Sequence, residues 1–256
     1  MNLYLDLGNS ALKWSTAPAP EARPARVEFG AGFSAQLAAA WSTLPVPQRV
    51  AAVTVASARD LAKAAEVADS LWGMAVEPVA AAARGFGVVN QYTAPAALGA
   101  DRWAALVAAR QMVDTAAVVV DCGTAWTVDA LSAAGEFTGG VILAAPPVAA
   151  AAVAGSAEAL AATPVTVDSV LQSPFALDTA GGVAAGAVLG AVGAVEYVVK
   201  SMARAAGEEQ TALFLCGGGA ELVLAHSALA FRHCPGLVLA GLGVMVAAGE
   251  GEAMDR

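Results

Sequence analysis

The sequence Leu3-Tyr-Leu-Asp-Leu-Gly-Asn-Ser-Ala-Leu-Lys13 at the amino terminus has a near copy in Val118-Val-Val-Asp-Cys-Gly-Thr-Ala-Trp-Thr-Val-Asp129. Each copy is an apolar run, then Asp, then Gly two residues later, a polar side chain and further apolar alternation. This pattern predicts a strand, a turn opened by Asp-x-Gly and a second strand that pairs back on the first. The duplication favours a fold in which two such turns face each other across a cleft.

The predicted turns carry groups that bind phosphate. Gly8 and Gly123 can take positive φ and let backbone N–H groups come close to an anion. Asn9, Ser10 and Thr124 add side-chain donors next to those glycines. The alternative is two unrelated β-turns that share Asp and Gly because turns favour both residues. A repeated motif is a stronger signal than a single one, so we favour two phosphate-binding turns.

Two carboxylates, Asp6 and Asp121, accompany the predicted phosphate sites. A carboxylate beside a phosphate requires a cation or its water shell between the two negative groups. The pair therefore implies Mg²⁺ and leaves room for a second cation. Lys13, on the far side of the first turn, is placed to act as a point charge on a phosphate oxygen.

Length and charge limit the function classes. A chain of 256 residues suits two lobes of about 100–150 residues each, and the second motif copy places the division between residues 1–115 and 116–256. A net charge of −9, spread along the chain, disfavours nucleic-acid binding through a general basic surface. It does not exclude an anionic substrate, since a single Lys or Arg can dominate a cleft.

The apolar composition raises the question of a membrane segment, because 58% of the residues are hydrophobic and 14% are charged. The uncharged stretch 137–157 has the length of a membrane span, roughly 20 residues, but prolines and glycines interrupt it and most of the rest is Ala. We therefore interpret the apolar stretches as buried helices and strands. Asp6 within the first strand argues against a secretory signal, and Cys122, Cys216 and Cys234 are interpreted as free buried thiols of a cytoplasmic protein.

Hydrophobic periodicity predicts alternating strands and helices. In the first lobe we predict strands at 50–57 and 75–79, helices at 34–43, 59–72 and 100–113, and a loop over 85–99. In the second lobe we predict strands at 116–120, 137–143 and 212–216 and helices at 148–162, 179–206 and 220–227. The run Gly217-Gly218-Gly219 between a strand and a helix is a third place where backbone could approach an anion, although such glycines are more often structural.

The stretch Gly99-Ala-Asp-Arg102 at a predicted helix start has two interpretations. Asp101 and Arg102 could be a carboxylate favoured by the helix dipole and a solvated guanidinium. Alternatively, Asp101 accepts a proton from a substrate hydroxyl and Arg102 binds a substrate carboxylate with two hydrogen bonds. Asn90 and Tyr92 in the preceding loop are close enough in sequence to line the same pocket. Together with the phosphate turns, the second interpretation describes a kinase for a small hydroxy acid.

With these motifs the chain resembles the type III pantothenate kinases of bacterial coenzyme A synthesis. That family belongs to the acetate and sugar kinase, Hsp70 and actin superfamily, so the resemblance implies an α/β fold of two duplicated ribonuclease-H-like lobes with a central cleft. The matching segments follow the family order over almost the whole chain: Asp6 to Lys13, Asn90-Gln-Tyr92 with Pro95, Gly99 to Arg102, Asp121 to Ala125, Gly139-Gly140, Thr179 and the glycines from Gly217.

The resemblance implies roles for these residues and the partners they bind. Asp101 is expected to be the catalytic base on pantothenate, and Asp121 to hold a monovalent cation, K⁺ or NH₄⁺. Asp6 is expected to bind the Mg²⁺ of Mg-ATP directly or through water. ATP and its phosphates are expected to contact Asp6, Gly8, Asn9, Ser10, Lys13, Gly123, Thr124, Gly217 and Gly218. Pantothenate is expected to contact Tyr92, Gly99, Arg102 and Thr179, and the family implies a homodimer.

Two rival functions and one departure remain open at this point. A relative that serves as a non-catalytic transcriptional accessory protein has no need of a base at Asp101 or of Lys13. A sugar or acetate kinase on the same lobes would need a longer chain. Pro146-Pro147 stands where the family has a Pro-Gly turn, and we expect it to stiffen a loop that faces the cleft.

Overall fold

The computed structural model describes residues 1–156, 175–206 and 211–254. The chain forms two compact units, and neither is continuous in sequence. The first unit contains Met1–Ala117, Leu131–Gly139 and Cys234–Arg256, and the second contains Val118–Ala130 and Gly140–His233. Both units are mixed α/β, as predicted. The assignment of lobes to residues 1–115 and 116–256 stays a prediction, because these units are sets of contacting segments rather than stretches of chain.

The first unit is built on a five-stranded sheet whose strand order is β3-β2-β1-β4-β5. The first three strands pair antiparallel, β4 pairs in parallel with β1, and β5 pairs in parallel with β4. Strand β1 is strongly apolar on its inner face, where Leu3, Leu5 and Leu7 are fully buried. The elements are β1 (Asn2–Leu7), β2 (Ala11–Ser15), β3 (Ala25–Glu28), α1 (Phe33–Trp41), β4 (Arg49–Thr54), α2 (Ala58–Trp72) and β5 (Val76–Pro78).

The predicted opening hairpin is confirmed. Strands β1 and β2 pair antiparallel with Leu7 opposite Leu12 and Asp6 opposite Lys13. The turn closes where the N–H of Gly8 donates to the carbonyl of Ala11, at 3.1 Å. Because this register is fixed by a short turn, it places the charged groups of Asp6 and Lys13 side by side.

The remaining elements of the first unit are β6 (Arg84–Gly85), β7 (Val88–Asn90), a 3₁₀ turn at Pro95–Ala97, α3 (Ala100–Met112), α7 (Leu237–Met254) and the start of β10 (Glu136–Ala144). The sequence predicted a loop over 85–99, and this is wrong for β7. Strand β7 pairs in parallel with the start of β10, with Asn90 opposite Phe137. That pairing joins segments far apart in the chain, so local periodicity did not reveal it.

Small residues bring the two helices α3 and α7 into close contact. A Cβ atom added at Gly241 would collide with the backbone carbonyl of Ala104. Helix α3 is buried along most of its length, from Ala100 to Ala109. The predicted site residues Asp101 and Arg102 in its first turn therefore lie on a closely packed helix.

In the second unit the strand order is β12-β11-β8-β9-β10. One long helix, α5, covers part of this unit's core with the stripe Val188, Val192, Val195 and Val199, a spacing typical of one helical face. The elements are β8 (Ala116–Cys122), β9 (Ala125–Leu131), β10, α4 (Pro146–Ser156), α5 (Thr179–Ala206), β11 (Thr211–Cys216), α6 (Ala220–His226) and β12 (Arg232–His233).

The structure bears on the predictions made for the apolar segments in three ways. Pro146 and Pro147 lie in the first turn of α4 rather than in a loop, a position where proline needs no N–H partner. Residues 157–162 of the helix predicted at 148–162 lie outside the described residues. Among the described helices, one segment, Thr179–Arg204, is long and apolar enough to cross a membrane, but core helices pass the same test.

Candidate active site

The opening hairpin contributes an ion pair to the candidate site. The Nζ atom of Lys13 lies 3.0 Å from Oδ2 of Asp6, and the two side chains are 28% and 5% exposed. A carboxylate this deeply buried is tolerated because a cation neutralises it. Asn9 and Ser10 form the exposed tip of the turn next to this pair. The first unit thus brings together most of the residues predicted to bind ATP phosphates in the first turn.

Gly8 and Gly123 do not use the positive φ that glycine allows. Neither residue is among the glycines with left-handed backbone. At Gly8 the turn closes through the hydrogen bond to Ala11, whose carbonyl would be 3.7 Å from an added Cβ, an ordinary contact. A two-residue turn of this kind can therefore be made without an unusual backbone at Gly8. The glycines still leave the turn surfaces free of side chains.

Among the glycines of the predicted phosphate sites, Gly217, after β11, has left-handed backbone. Its φ is 86°, and an added Cβ would lie 2.6 Å from the backbone nitrogen of Cys122 and would also collide with the carboxylate of Asp121. The N–H of Gly219 donates to the carbonyl of Cys122 at 2.9 Å. The glycine run therefore packs directly on the end of β8, and it leaves backbone rather than a side chain beside Asp121.

Other predicted residues of the second unit lie at its surface. Thr124 and Gly218 are exposed, and Gly123 is half-buried. Thr179 is exposed at the first residue of α5, where Asp178 accepts a hydrogen bond from the N–H of Gly181 at 2.8 Å. These exposed positions suit contact with a ligand.

The thiol next to Asp121 is not a nucleophile. Burial raises the pKa of Cys122 far above its ordinary value, and the negative charge of Asp121 raises it further. The thiol therefore stays protonated at neutral pH. Cys122, Cys216 and Cys234 are buried free cysteines, as predicted.

Asp101 lies in the first turn of α3 and is partly buried. Its Oδ1 atom accepts a hydrogen bond from the N–H of Arg102 at 2.8 Å. Burial raises the pKa of Asp101, and the negative charge of Asp6 raises it as well, while the N–H and charge of Arg102 oppose both effects. Asp101 is therefore electrostatically coupled to the Asp6–Lys13 pair in the same unit. A raised pKa makes a carboxylate a stronger base than an ordinary aspartate.

The absence of a side chain at Gly99 leaves room for the Asp101 carboxylate. An added Cβ at Gly99 would lie 2.6 Å from Oδ1 of Asp101, against 3.5 Å from the nearest atom of Val55. The φ and ψ of Gly99, −55° and 134°, are open to any residue. The sequence predicted Gly99 as a substrate contact, and the structure adds a reason for glycine that does not involve a ligand.

Arg102 and Tyr92, both predicted to bind the acceptor, are in direct contact. The Nη1 atom of Arg102 donates to the hydroxyl of Tyr92 at 2.9 Å. The guanidinium carbon lies 5.7 Å from the centre of the Tyr92 ring and 5.8 Å from that of Phe137. The sequence analysis did not identify Phe137 as part of the site, because its position depends on the pairing of β10 with β7.

The side chain of Asn90, which lies close in sequence to Tyr92, is buried and bonded to backbone. It is 6% exposed, its Nδ2 atom donates to the carbonyls of Ala82 and Pro95, and its Oδ1 atom accepts from the N–H of Tyr92. Its side chain therefore shapes the segment that carries Tyr92.

Cation binding at the two aspartates fits the residues present. No cluster of three or more His, Cys, Asp or Glu side chains suited to a metal occurs within residues 1–156, 175–206 and 211–254. Mg²⁺ that accompanies a nucleotide is commonly held by one or two carboxylates with phosphates and waters rather than by a full protein cage. Asp6 supplies such a carboxylate in the first unit. Asp121, close to the glycine backbone of the β11–α6 turn, could supply one in the second.

The fold and these groups define the class of the protein as a phosphotransferase of the actin-like ATPase and sugar kinase fold. The model of the type III pantothenate kinase family matches residues 2–201. The chain belongs to the type III pantothenate kinase family. A type III pantothenate kinase from Nitrosomonas eutropha is 35% identical over 253 residues, which cover 96% of this chain and 95% of the relative.

Solved structures with the same fold are more distant. A Campylobacter jejuni protein assigned to the Baf family of transcriptional activators has a TM-score of 0.57 at 16% identity, covering 97% of this chain and 99% of its own. A Sinorhizobium meliloti protein assigned as a 2-dehydro-3-deoxygalactonokinase has a TM-score of 0.55 at 15% identity, with 97% and 96% covered. At these identities the likeness shows the fold alone, and it confirms the predicted fold class.

Proposed function

We propose that this protein transfers the γ-phosphoryl group of ATP to the hydroxyl of pantothenate, which yields phosphopantothenate and begins coenzyme A biosynthesis. One observation carries the proposal. The first unit holds together a buried carboxylate–ammonium pair at Asp6 and Lys13, a carboxylate of raised pKa at Asp101, and the contacting pair Arg102 and Tyr92. A phosphate-binding turn, a base and a carboxylate-binding group are what a kinase for a hydroxy acid needs.

On the acceptor side, Asp101 takes the proton of the attacking hydroxyl. Its pKa is raised chiefly by burial, which brings its proton affinity closer to what a general base needs near neutral pH. The transfer forms a bond between the hydroxyl oxygen and the γ-phosphorus and breaks the bond to the β–γ bridging oxygen, while the proton moves to a carboxylate oxygen of Asp101. A non-catalytic accessory protein would have no use for such a base.

Arg102 binds the carboxylate of pantothenate. The guanidinium of Arg102 hydrogen-bonds to Tyr92 and is buried, so little water competes for it. Its planar arrangement of N–H donors matches the two oxygens of a carboxylate. Tyr92, Gly99 and Thr179 complete the contacts to the acceptor in this proposal. Binding of the carboxylate by Arg102 orients the hydroxyl of pantothenate toward Asp101.

On the donor side, the phosphates of ATP bind the first turn at Asp6, Gly8, Asn9, Ser10 and Lys13 and the second-unit residues Gly123, Thr124, Gly217 and Gly218. Lys13 offsets charge on the phosphoryl oxygens, as a compact ammonium does in other phosphate sites. Mg²⁺ near Asp6 would supply neutralisation of the developing charge on the phosphates.

Asp121 holds a monovalent cation, K⁺ or NH₄⁺, in this proposal. Its support is the carboxylate itself and the close glycine backbone at Gly217. We further propose a cytoplasmic homodimer that binds neither nucleic acid nor membrane, in keeping with the net charge of −9.

A coupled assay tests the proposal. Purified protein is given ATP, Mg²⁺ and pantothenate, with KCl, NH₄Cl or tetramethylammonium chloride at equal ionic strength. We expect pantothenate-dependent ADP release that K⁺ or NH₄⁺ stimulates and tetramethylammonium does not. If turnover is the same with all three salts, the proposed cation site at Asp121 is refuted and the rest of the proposal stands. No turnover under any of the conditions would overturn the kinase and favour a non-catalytic accessory protein.

A further inference from the structure

Three groups from three separate segments form one cluster in the first unit. The guanidinium of Arg102 on α3 lies 5.7 Å from the Tyr92 ring and 5.8 Å from the Phe137 ring, and the two ring centres are 5.5 Å apart. The three distances are nearly equal, so each group contacts the other two. A cation beside two aromatic rings is held by the negative charge of their faces.

Phe137 is the most deeply buried member of this cluster. Its side chain is fully buried, whereas the Tyr92 side chain is half-buried. Phe137 sits near the start of β10 opposite Asn90 of β7, and its carbonyl accepts a hydrogen bond from the N–H of Gln91 at 3.3 Å. It therefore cannot reach a ligand in solution, and what it touches in the candidate site is Arg102 and Tyr92.

Asn90 holds the other side of the cluster. Its Nδ2 atom donates to the carbonyls of Ala82 and Pro95 at 3.2 and 3.1 Å, and its Oδ1 atom accepts from the N–H of Tyr92 at 3.1 Å. One buried amide thus ties together the chain before β7, the backbone of Tyr92 and the 3₁₀ turn that leads to α3. Removing the Asn90 amide would break all three hydrogen bonds and leave buried backbone groups without partners, so the placement of Tyr92 depends on this side chain.

We infer that Asn90 and Phe137 are positioning residues, which fix the Tyr92–Arg102 pair in the geometry that binds the acceptor carboxylate. Phe137 packs against the guanidinium and the tyrosine ring, and Asn90 fixes the backbone that carries Tyr92. The inference rests on the proposed function, since it assigns the purpose of the pair to acceptor binding. Neither residue touches the reacting atoms, so their effect passes through Arg102.

The first test replaces the ring of Phe137. Phe137→Leu, and Phe137→Met as a ring-free variant of closer volume, should raise the KM for pantothenate about 3- to 30-fold, the range that corresponds to loss of a partly desolvated cation–aromatic contact. We expect the kcat and the KM for ATP to change less than twofold. The Met variant keeps the test decisive if Leu leaves too large a cavity for folding.

Phe33→Leu is the matched control. Phe33 is also a buried phenylalanine of the first unit, with the Phe29 ring 4.9 Å away and the Lys63 ammonium 6.0 Å from its own ring centre. It lies in a different apolar cluster, with Leu37 and Trp41. We expect this variant to lose a comparable amount of stability in thermal unfolding and to keep the KM for pantothenate.

A double-mutant cycle separates positioning from general structural damage. Arg102→Lys alone should raise the KM for pantothenate, and Phe137→Leu should add little to it when Arg102 is already Lys, because the group it positions is gone. Asn90→Ala should likewise raise the KM in the wild-type background and have a smaller effect in the Arg102→Lys background.

Three results would overturn the inference. They are an unchanged KM in both Phe137 variants, an equal rise in both backgrounds of the cycle, or a parallel loss of kcat and of ATP affinity. All three require an active wild-type enzyme. Absence of turnover in the wild type would instead refute the proposed function, so the two failures are distinguishable.

Discussion

Lys13 lies directly across the opening hairpin from Asp6, and its Nζ atom is 3.0 Å from the Asp6 Oδ2 atom. Asp6 is almost fully buried, so the ammonium is what makes a charged carboxylate tolerable at that place. The negative charge of Asp6 also raises the pKa of Asp101. One cross-strand pair therefore connects the proposed phosphate-binding turn to the proposed base.

Lys13→Met should destabilise the protein, because Asp6 would stay buried without this cation. We expect the free energy of unfolding to fall by about 1–3 kcal/mol, below the value for a fully buried pair since Lys13 is partly exposed. Lys63→Met is the control, since Lys63 is also 3.0 Å from a carboxylate oxygen, but its partner Asp60 is 21% exposed against 5% for Asp6. Urea denaturation of both variants measures the difference. Equal losses would mean that burial of Asp6 does not matter.

Asp101→Asn should lower kcat about 10²- to 10⁴-fold, because an amide cannot accept the hydroxyl proton. ATP binding, measured by calorimetry, should change little. A variant with wild-type turnover would show that Asp101 is not the base.

The same substitution should stabilise the fold at neutral pH. Since the pKa of Asp101 is raised in the folded protein, the folded state holds this proton to a higher pH than the unfolded chain does. The free energy of unfolding contributed by this group therefore falls as pH rises between the two pKa values. Thermal unfolding of Asp101→Asn at pH 7 should give a higher Tm than the wild type, with the difference shrinking toward acid pH. A lower Tm at pH 7 would contradict the assigned burial effect.

The pH dependence of kcat/KM should show the raised pKa directly. Protonation of Asp101 removes the base, so activity should fall on the acid side at a pH above that of an ordinary aspartate. In Asp6→Asn, whatever activity remains should have its acid limb at lower pH, because a negative charge near Asp101 is gone. Activity is measured across the pH range for the wild type and for Asp6→Asn, which gives the acid limb of each. Circular dichroism at each pH confirms that both proteins stay folded. An acid limb that does not move would show that Asp6 and Asp101 are not coupled.

Gly99→Ala should lower kcat about 10- to 100-fold by displacing the Asp101 carboxylate, the effect expected for a misplacement of about 1 Å. The added methyl would lie 2.6 Å from Oδ1 of Asp101, and that end of the side chain can move. The backbone at Gly99 suits alanine, so the Tm should stay the same or rise slightly. A loss of Tm with unchanged kcat would refute this explanation.

Gly217→Ala should destabilise the second unit. Alanine at a φ of 86° is strained, and its methyl would collide with Asp121 and the backbone of Cys122. We expect a loss of about 2–4 kcal/mol in the free energy of unfolding. Gly218→Ala is the control, because an added Cβ there meets nothing within 4 Å and the φ is not left-handed. Denaturation curves that coincide for the two variants would argue against the packing of Gly217 on β8.

The local sequence pattern was enough to predict most of the helices and strands. The helix predicted at 179–206 has those bounds, and the hairpin of Asp6 and Lys13 follows from alternation and a short turn. Such elements are set by neighbours in the chain, so period and turn chemistry predict them. The family could also be assigned from the order of short motifs, and the match over residues 2–201 confirmed it.

The sequence alone predicted most of the strands and helices, and it identified Asp6, Lys13, Asp101 and Arg102 as candidate site residues. Only the tertiary structure decided that Phe137 and Asn90 surround the Tyr92–Arg102 pair and that Gly217, rather than Gly8 or Gly123, carries the left-handed backbone. The physical reason is that these features arise from contacts between distant segments: β7 with β10, and the β11–α6 turn with the end of β8. No local period or turn preference contains that information, because it exists only once the segments have packed.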